Sequence, residues 1–167
     1  MGAKIEGVPG IYGHVSGGKS GALVGMGASE VIKNAGGKAV HFSTSTGLAE
    51  ISAAGETPIG WVVLGEQTCS STAGNTKAWC ITDKTAVFRI PALYDNSSYT
   101  VVLAETLMME SCDVVVASTI QYINPTLSSE DGLVIVGWKA NSGTDIPGDG
   151  FADVMLNPNT AIVGTIA

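Results

Sequence analysis

Gly13-His14-Val15-Ser16-Gly17-Gly18-Lys19-Ser20 is the stretch whose residue types and spacing point most directly to chemistry. It fits G-x-x-x-x-G-K-[ST]. In that pattern, loop amides cradle phosphates at the start of a helix, the lysine meets the β- and γ-phosphates, and the hydroxyl meets Mg²⁺. On this reading Gly13, Gly18, Lys19 and Ser20 bind a nucleotide. The flanks oppose it. Val8-Pro9-Gly10-Ile11-Tyr12 breaks the buried strand that should come before. Gly21-Ala22-Leu23-Val24-Gly25-Met26-Gly27 sets three glycines where a helix should begin. No apolar run ending in Asp follows to hold the metal. The nucleotide site is therefore the lesser alternative.

Other constellations are weaker. Asp145, Asp149 and Asp153 recur every four residues, but Pro147, Gly148 and Gly150 exclude the helix that would gather them. A calcium loop needs its oxygens closer together, so turn chemistry is the better reading. Glu130-Asp131 lies in a polar turn. His14 and His41 are far apart, and no nucleophile elbow appears among thirty serines and threonines. Cys69, Cys80 and Cys112 are odd in number and lack metal-ligand spacing, which favours buried free thiols over a disulfide framework. The expectation is a chain with no catalytic residues, no metal and no cofactor: not an enzyme.

The elements that must position any site are short and β-rich. With 167 residues, 45% of them hydrophobic, the chain is long enough for one domain with a real core. Charged residues make up only 14% and glycines number 22, so small and hydroxyl side chains occupy much of the surface. From Glu30 onward, β-branched and aromatic runs alternate with Gly, Ser, Asn and Asp clusters. This predicts strands at Val31–Lys33, Ala39–Ser43, Leu48–Ser52, Ile59–Glu66, Ala78–Thr82, Ala86–Ile90, Asp113–Gln121, Leu133–Trp138, Phe151–Leu156 and Ala161–Ile166. Gly60 and Gly65 are expected at bulges or close approaches. One short helix is expected over Thr100–Glu110. The expected fold class is all-β, mainly antiparallel: a small barrel or sandwich over residues 29–167, preceded by a Gly-rich extended arm over residues 1–28.

Charge divides the chain. Residues 1–94 carry seven basic and six acidic side chains, whereas residues 95–167 carry Lys139 against nine acidic ones. An acidic half without any basic run disfavours nucleic acid and anionic membranes. The longest apolar runs are too short to cross a bilayer as helices, and the first residues do not resemble a secretory signal.

Two stretches carry a resemblance. The first is Gly37-Lys38-Ala39-Val40, Gly47-Leu48-Ala49-Glu50-Ile51 and Ala53-Ala54-Gly55-Glu56-Thr57-Pro58-Ile59-Gly60-Trp61-Val62-Val63-Leu64. The second is Leu133-Val134-Ile135-Val136-Gly137 with Phe151-Ala152-Asp153-Val154-Met155-Leu156-Asn157-Pro158. Together they resemble the small β-barrel head decoration (cement) proteins of tailed bacteriophages. The resemblance implies a structural virion protein, made in the host cytoplasm, that sits on the outer capsid surface. Its implied partner is the major capsid protein, and it implies self-association, as a trimer with dimer or monomer as alternatives. Ile5, Val8, Pro9, Ile11 and Tyr12 in the arm are the candidate capsid-binding residues, since an extended apolar arm can lie in a groove or add a strand to a neighbour. The alternative outside the nucleotide class is a carbohydrate-binding β-sandwich presenting Trp61, Trp79 or Trp138, although strongly apolar flanks favour core positions for these indoles.

Overall fold

The computed structural model describes residues 13–32, 37–92, 107–117, 119–124, 132–140 and 150–159. Its strands are β1 (Gly13–Ser16), β2 (Gly21–Gly25), β3 (Val31–Ile32), β4 (Lys38–Phe42), β5 (Ala49–Ile51), β6 (Gly60–Val63), β7 (Gln67–Thr68), β8 (Lys77–Ile81), β9 (Val87–Pro91), β10 (Ser111–Ala117), β11 (Ile120–Asn124), β12 (Leu133–Ala140) and β13 (Gly150–Leu156). They form a six-stranded sheet in the order β1-β9-β13-β12-β10-β11 and a five-stranded sheet in the order β2-β8-β6-β4-β5. A small pair, β3-β7, accompanies them. Every strand pairing is antiparallel. The fold is all-β.

Side-chain alternation explains how the two sheets meet. Successive strand residues point to opposite faces. Ala39, Trp61 and Ile81 of the five-stranded sheet accordingly join Phe88, Ile90, Val114, Ile123, Leu133, Ile135 and Val154 of the larger sheet in one core. Their neighbours Val40, Val62 and Cys80 turn the other way, into a second core with Met26 and Ile32. The indole of Trp61 stacks on Phe88 at 4.4 Å between ring centroids and 14° between planes. Buried Gln121 links the sheets by polar contacts. Its Oε1 accepts from the Ala39 amide at 2.8 Å, and its Nε2 donates to the carbonyls of Ala39 (2.8 Å) and Ser52 (2.9 Å).

Both sheets curl. A parallel bridge between Ala92 and Ile123 brings β11 back to the end of β9, and another between Met26 and Ala49 brings the end of β2 back to β5. Gly60 is a close-approach point, because a Cβ there would lie 2.5 Å from Cys80 Sγ; Gly65 faces open space.

Some expectations are corrected. Residues 13–28 are not an arm: Gly13–Ser16 pairs with β9 and Gly21–Gly25 with β8, while residues 1–12 lie outside the described residues. Asp113–Gln121, expected as one strand, contains a reversal between β10 and β11, with Thr119 at φ 68°. The end of the expected helix is a tight turn. The Glu110 amide donates to the Leu107 carbonyl, and Met109 takes φ 66°. Residues 100–106 and the strand expected at Ala161–Ile166 lie outside the described residues.

Candidate docking surface

The phosphate-loop lookalike is a corner between two strands. β1 lies in one sheet and β2 in the other, and residues 17–20 cross between them alongside the turn that carries β8 into β9. The two crossings are bonded together. The Ser20 carbonyl accepts from the amides of Thr82 (3.0 Å) and Asp83 (3.2 Å). The Gly18 amide donates to Thr85 Oγ1 at 3.0 Å. Asp83 Oδ1 accepts from the Thr85 amide (2.9 Å) and hydroxyl (2.6 Å), and these bonds, the hydroxyl's foremost, hold its carboxyl below the usual range. A Cβ on Gly18 would run into that carboxylate, and one on Gly17 into the Thr85 carbonyl.

This geometry corrects the nucleotide reading. The glycines are required by close packing of two crossings, and a strand follows Ser20 where the phosphate loop needs a helix. An anion approaching Gly18 would meet an amide already bonded and a carboxylate of its own sign. Gly13, Gly18, Lys19 and Ser20 therefore do not form a phosphate cradle.

The same corner positions an exposed apolar row. Leu23 of β2 lies directly opposite Trp79 of β8, which lies directly opposite Val63 of β6, so all three share one face. Leu23 is 66% exposed, Trp79 46% and Val63 38%. One row nearer the corner, the same face carries Ile81 and Trp61, both buried against the larger sheet. The row is thus the first part of this face to emerge from between the sheets. Trp79 Nε1 donates to the Lys19 carbonyl at 3.3 Å, which fixes the indole's orientation. Lys19 so contributes through its backbone, not through its ammonium.

The remaining candidates are dispersed. Ile5, Val8, Pro9, Ile11 and Tyr12 lie outside the described residues, as do Asp145, Asp149, Glu130 and Asp131. Asp153 is the cross-strand partner of Arg89, accepting from Nε at 2.5 Å and from Nη2 at 2.6 Å. His14 packs edge-on against Phe88, while His41 lies between Glu50 (3.7 Å) and Glu56 (3.3 Å). Burial pushes the nearby Glu30 carboxyl up, and Glu50 and Glu56 add to the effect. Among the described residues, no group of three or more His, Cys, Asp or Glu is arranged to hold a metal ion. The three cysteines are free and buried. Burial pushes all three thiols up, that of Cys80 to about 11.

Sequence reasoning missed the row and one buried cation. The period-two pattern Lys77-Ala78-Trp79 was a legible sign that Trp79 shares its face with a lysine. Trp61 is core as expected, and the side chain of Trp138 lies outside the described set. Lys38, which alternation with Ala39 and Val40 makes look like an ordinary strand lysine, is buried. Burial lowers its ammonium to about 8 despite the opposing influence of Glu66. No known family, no curated protein and no solved structure matches this chain.

Proposed function

We propose that this chain is a non-enzymatic structural protein of a virion, bound to the outer face of a phage capsid and bridging capsomers. The observation that carries the proposal is the Leu23–Trp79–Val63 row, an exposed apolar strip on a sheet face. Its exposed area is roughly 300 Å², short of the about 800 Å² per partner in a standalone interface. Contacts of that size become effective when many identical copies act together on a lattice. The resemblance of residues 37–64 and 110–158 to phage decoration proteins supports the same reading, and residues 1–12, with Ile5, Val8, Pro9, Ile11 and Tyr12, supply a second apolar contact. The major capsid protein is the partner.

Gradient co-sedimentation with empty heads from the source virus tests this. The expected result is saturable binding at a fixed number of copies per particle, weakened at least tenfold by Trp79→Ala. Protein left at the top of the gradient at all concentrations would overturn the proposal. The exposed, hydrogen-bonded indole of Trp79 favours one second reading, a sugar-stacking surface. That reading expects the Trp79 emission to shift on addition of glycans.

A further inference from the structure

We propose that two copies of this chain pair through the outer edge of β2, antiparallel about a two-fold axis at Leu23. β2 is an outermost strand of the five-stranded sheet, and Gly21, Ala22 and Leu23 on it are exposed. The hydrogen bonds show which backbone groups that edge presents. In an antiparallel ladder alternate residues bond to the partner strand, and those between point their N–H and C=O the other way. The Ser20 carbonyl accepts from the Thr82 amide at 3.0 Å, and the Met26 amide donates to the Thr76 carbonyl at 2.9 Å, so the even-numbered residues face β8. Gly21, Leu23 and Gly25 therefore face outward. Gly27, next in that series, confirms the direction, because its amide donates to the Ala49 carbonyl of β5 at 2.8 Å.

The outward residues are symmetric about Leu23. Leu23 pairs with Leu23 of the second copy, and Gly21 pairs with its Gly25, each pair exchanging two backbone hydrogen bonds. The pairing stops at Gly27, whose amide is already bonded, and at Ser20, where the chain crosses to the other sheet. The glycines on either side of Leu23 put no side chain in the way, and no like charges come to lie opposite one another.

The other outermost strands carry protection that β2 lacks. β1 shifts register between His14 and Ser16, β5 carries Glu50, and β11 is bridged to Ala92 at the end of β9. β2 has no charge, no proline and no register shift. A regular, uncharged edge of that kind is a template for another strand.

The pairing also lengthens the exposed row. It then runs Val63, Trp79, Leu23 and the same three residues reversed, on one face, over about 24 Å. Its exposed area rises toward roughly 600 Å², nearer the about 800 Å² per partner of a standalone interface. The inference does not depend on the capsid reading. A dimer that ignores empty heads would leave it standing, and a monomer that binds them would overturn it alone.

Sedimentation equilibrium of the full chain should give an average mass that rises with concentration from 17.0 kDa toward twice that value. Leu23→Lys sets two ammonium groups opposite one another and should weaken the association at least tenfold, with the melting temperature unchanged. Leu23→Cys brings two thiols together at about 5.5 Å between Cα atoms, within disulfide range, so mild oxidation should link the copies. Val63→Cys, about 24 Å from its counterpart, should stay unlinked. Cys69, Cys80 and Cys112 are buried and do not compete. A mass of one chain at every concentration would overturn the proposal, leaving the edge to a segment of the same chain or to another protein. So would equal linkage of the two cysteine variants, which marks random collision, or a dimer that Leu23→Lys does not weaken, which places the interface elsewhere.

Discussion

Lys38 sits on β4 opposite Val62, on the face that builds the second core, and its ammonium is buried. Burial favours the neutral amine, and the folded chain releases the proton at about 8, well below the ordinary lysine value. Between about 8 and that ordinary value the unfolded chain binds more protons, so stability should rise with pH across this window. Below about 8 the penalty is present in full. Lys38→Met keeps the volume and removes the charge, so it should stabilise the protein at pH 7 by about 1–3 kcal/mol and flatten the rise. Urea midpoints at pH 7 and pH 10 would check both. A variant less stable than wild type at pH 7 would show that the ammonium is better satisfied than its burial implies.

At the scale of elements, Gln121 is a buried polar link between the sheets. Gln121→Leu preserves shape but removes the partner of the Ala39 amide and of the Ser52 carbonyl deep in the protein. The expected loss is about 2–4 kcal/mol, since stranded buried groups cost more than a hydrogen bond is worth net. Thermal melting would show it, with Gln121→Glu as a second variant whose defect grows as the carboxyl ionises. Much of this architecture was legible in the sequence. Strands with β-branched or aromatic alternation between glycine-rich turns, such as β4, β6, β12 and β13, lie where the pattern puts them. The reversal between β10 and β11 was illegible because it uses Thr119 at a positive φ, where turn rules expect Gly, Asn or Asp. β1 and β2 were hidden by their glycines. Those glycines signal a loop by composition, but at Gly17 and Gly18 they answer to crowding by Asp83 and Thr85, residues far away in sequence. For the same reason the exposed apolar row was only partly visible. Trp79 announces itself, but its juxtaposition with Leu23 and Val63 depends on strand order.

For the molecule as a whole, the folded body already includes β1 and β2, so it begins no later than Gly13. Removing residues 1–12 should leave the melting temperature within a few degrees of the full chain, because β1 and its pairing with β9 remain. Removing residues 1–20 takes away β1 and the Ser20 carbonyl that ties the two crossings, and should lower it by more than about 5 °C. Calorimetry on both deletions separates the cases. Equal melting temperatures would place the whole of residues 1–20 outside the folded body. A test of whether residues 1–12 contribute to the proposed capsid attachment therefore needs the shorter deletion, since the longer one confounds lost contact with lost structure.

The side-by-side crossings have a mechanical meaning. β1 continues into β2 and β8 into β9, so two covalent strands pass from one sheet to the other at the same corner, bonded through Ser20 and Gly18. A load that pulls the sheets apart at that corner is carried first by peptide bonds and only afterwards by side-chain contact. At the opposite edge, among the described residues, the sheets are joined by packing and by the Gln121 hydrogen bonds to Ala39 and Ser52, so a stretched molecule should yield like a hinge, those contacts parting first while the corner holds.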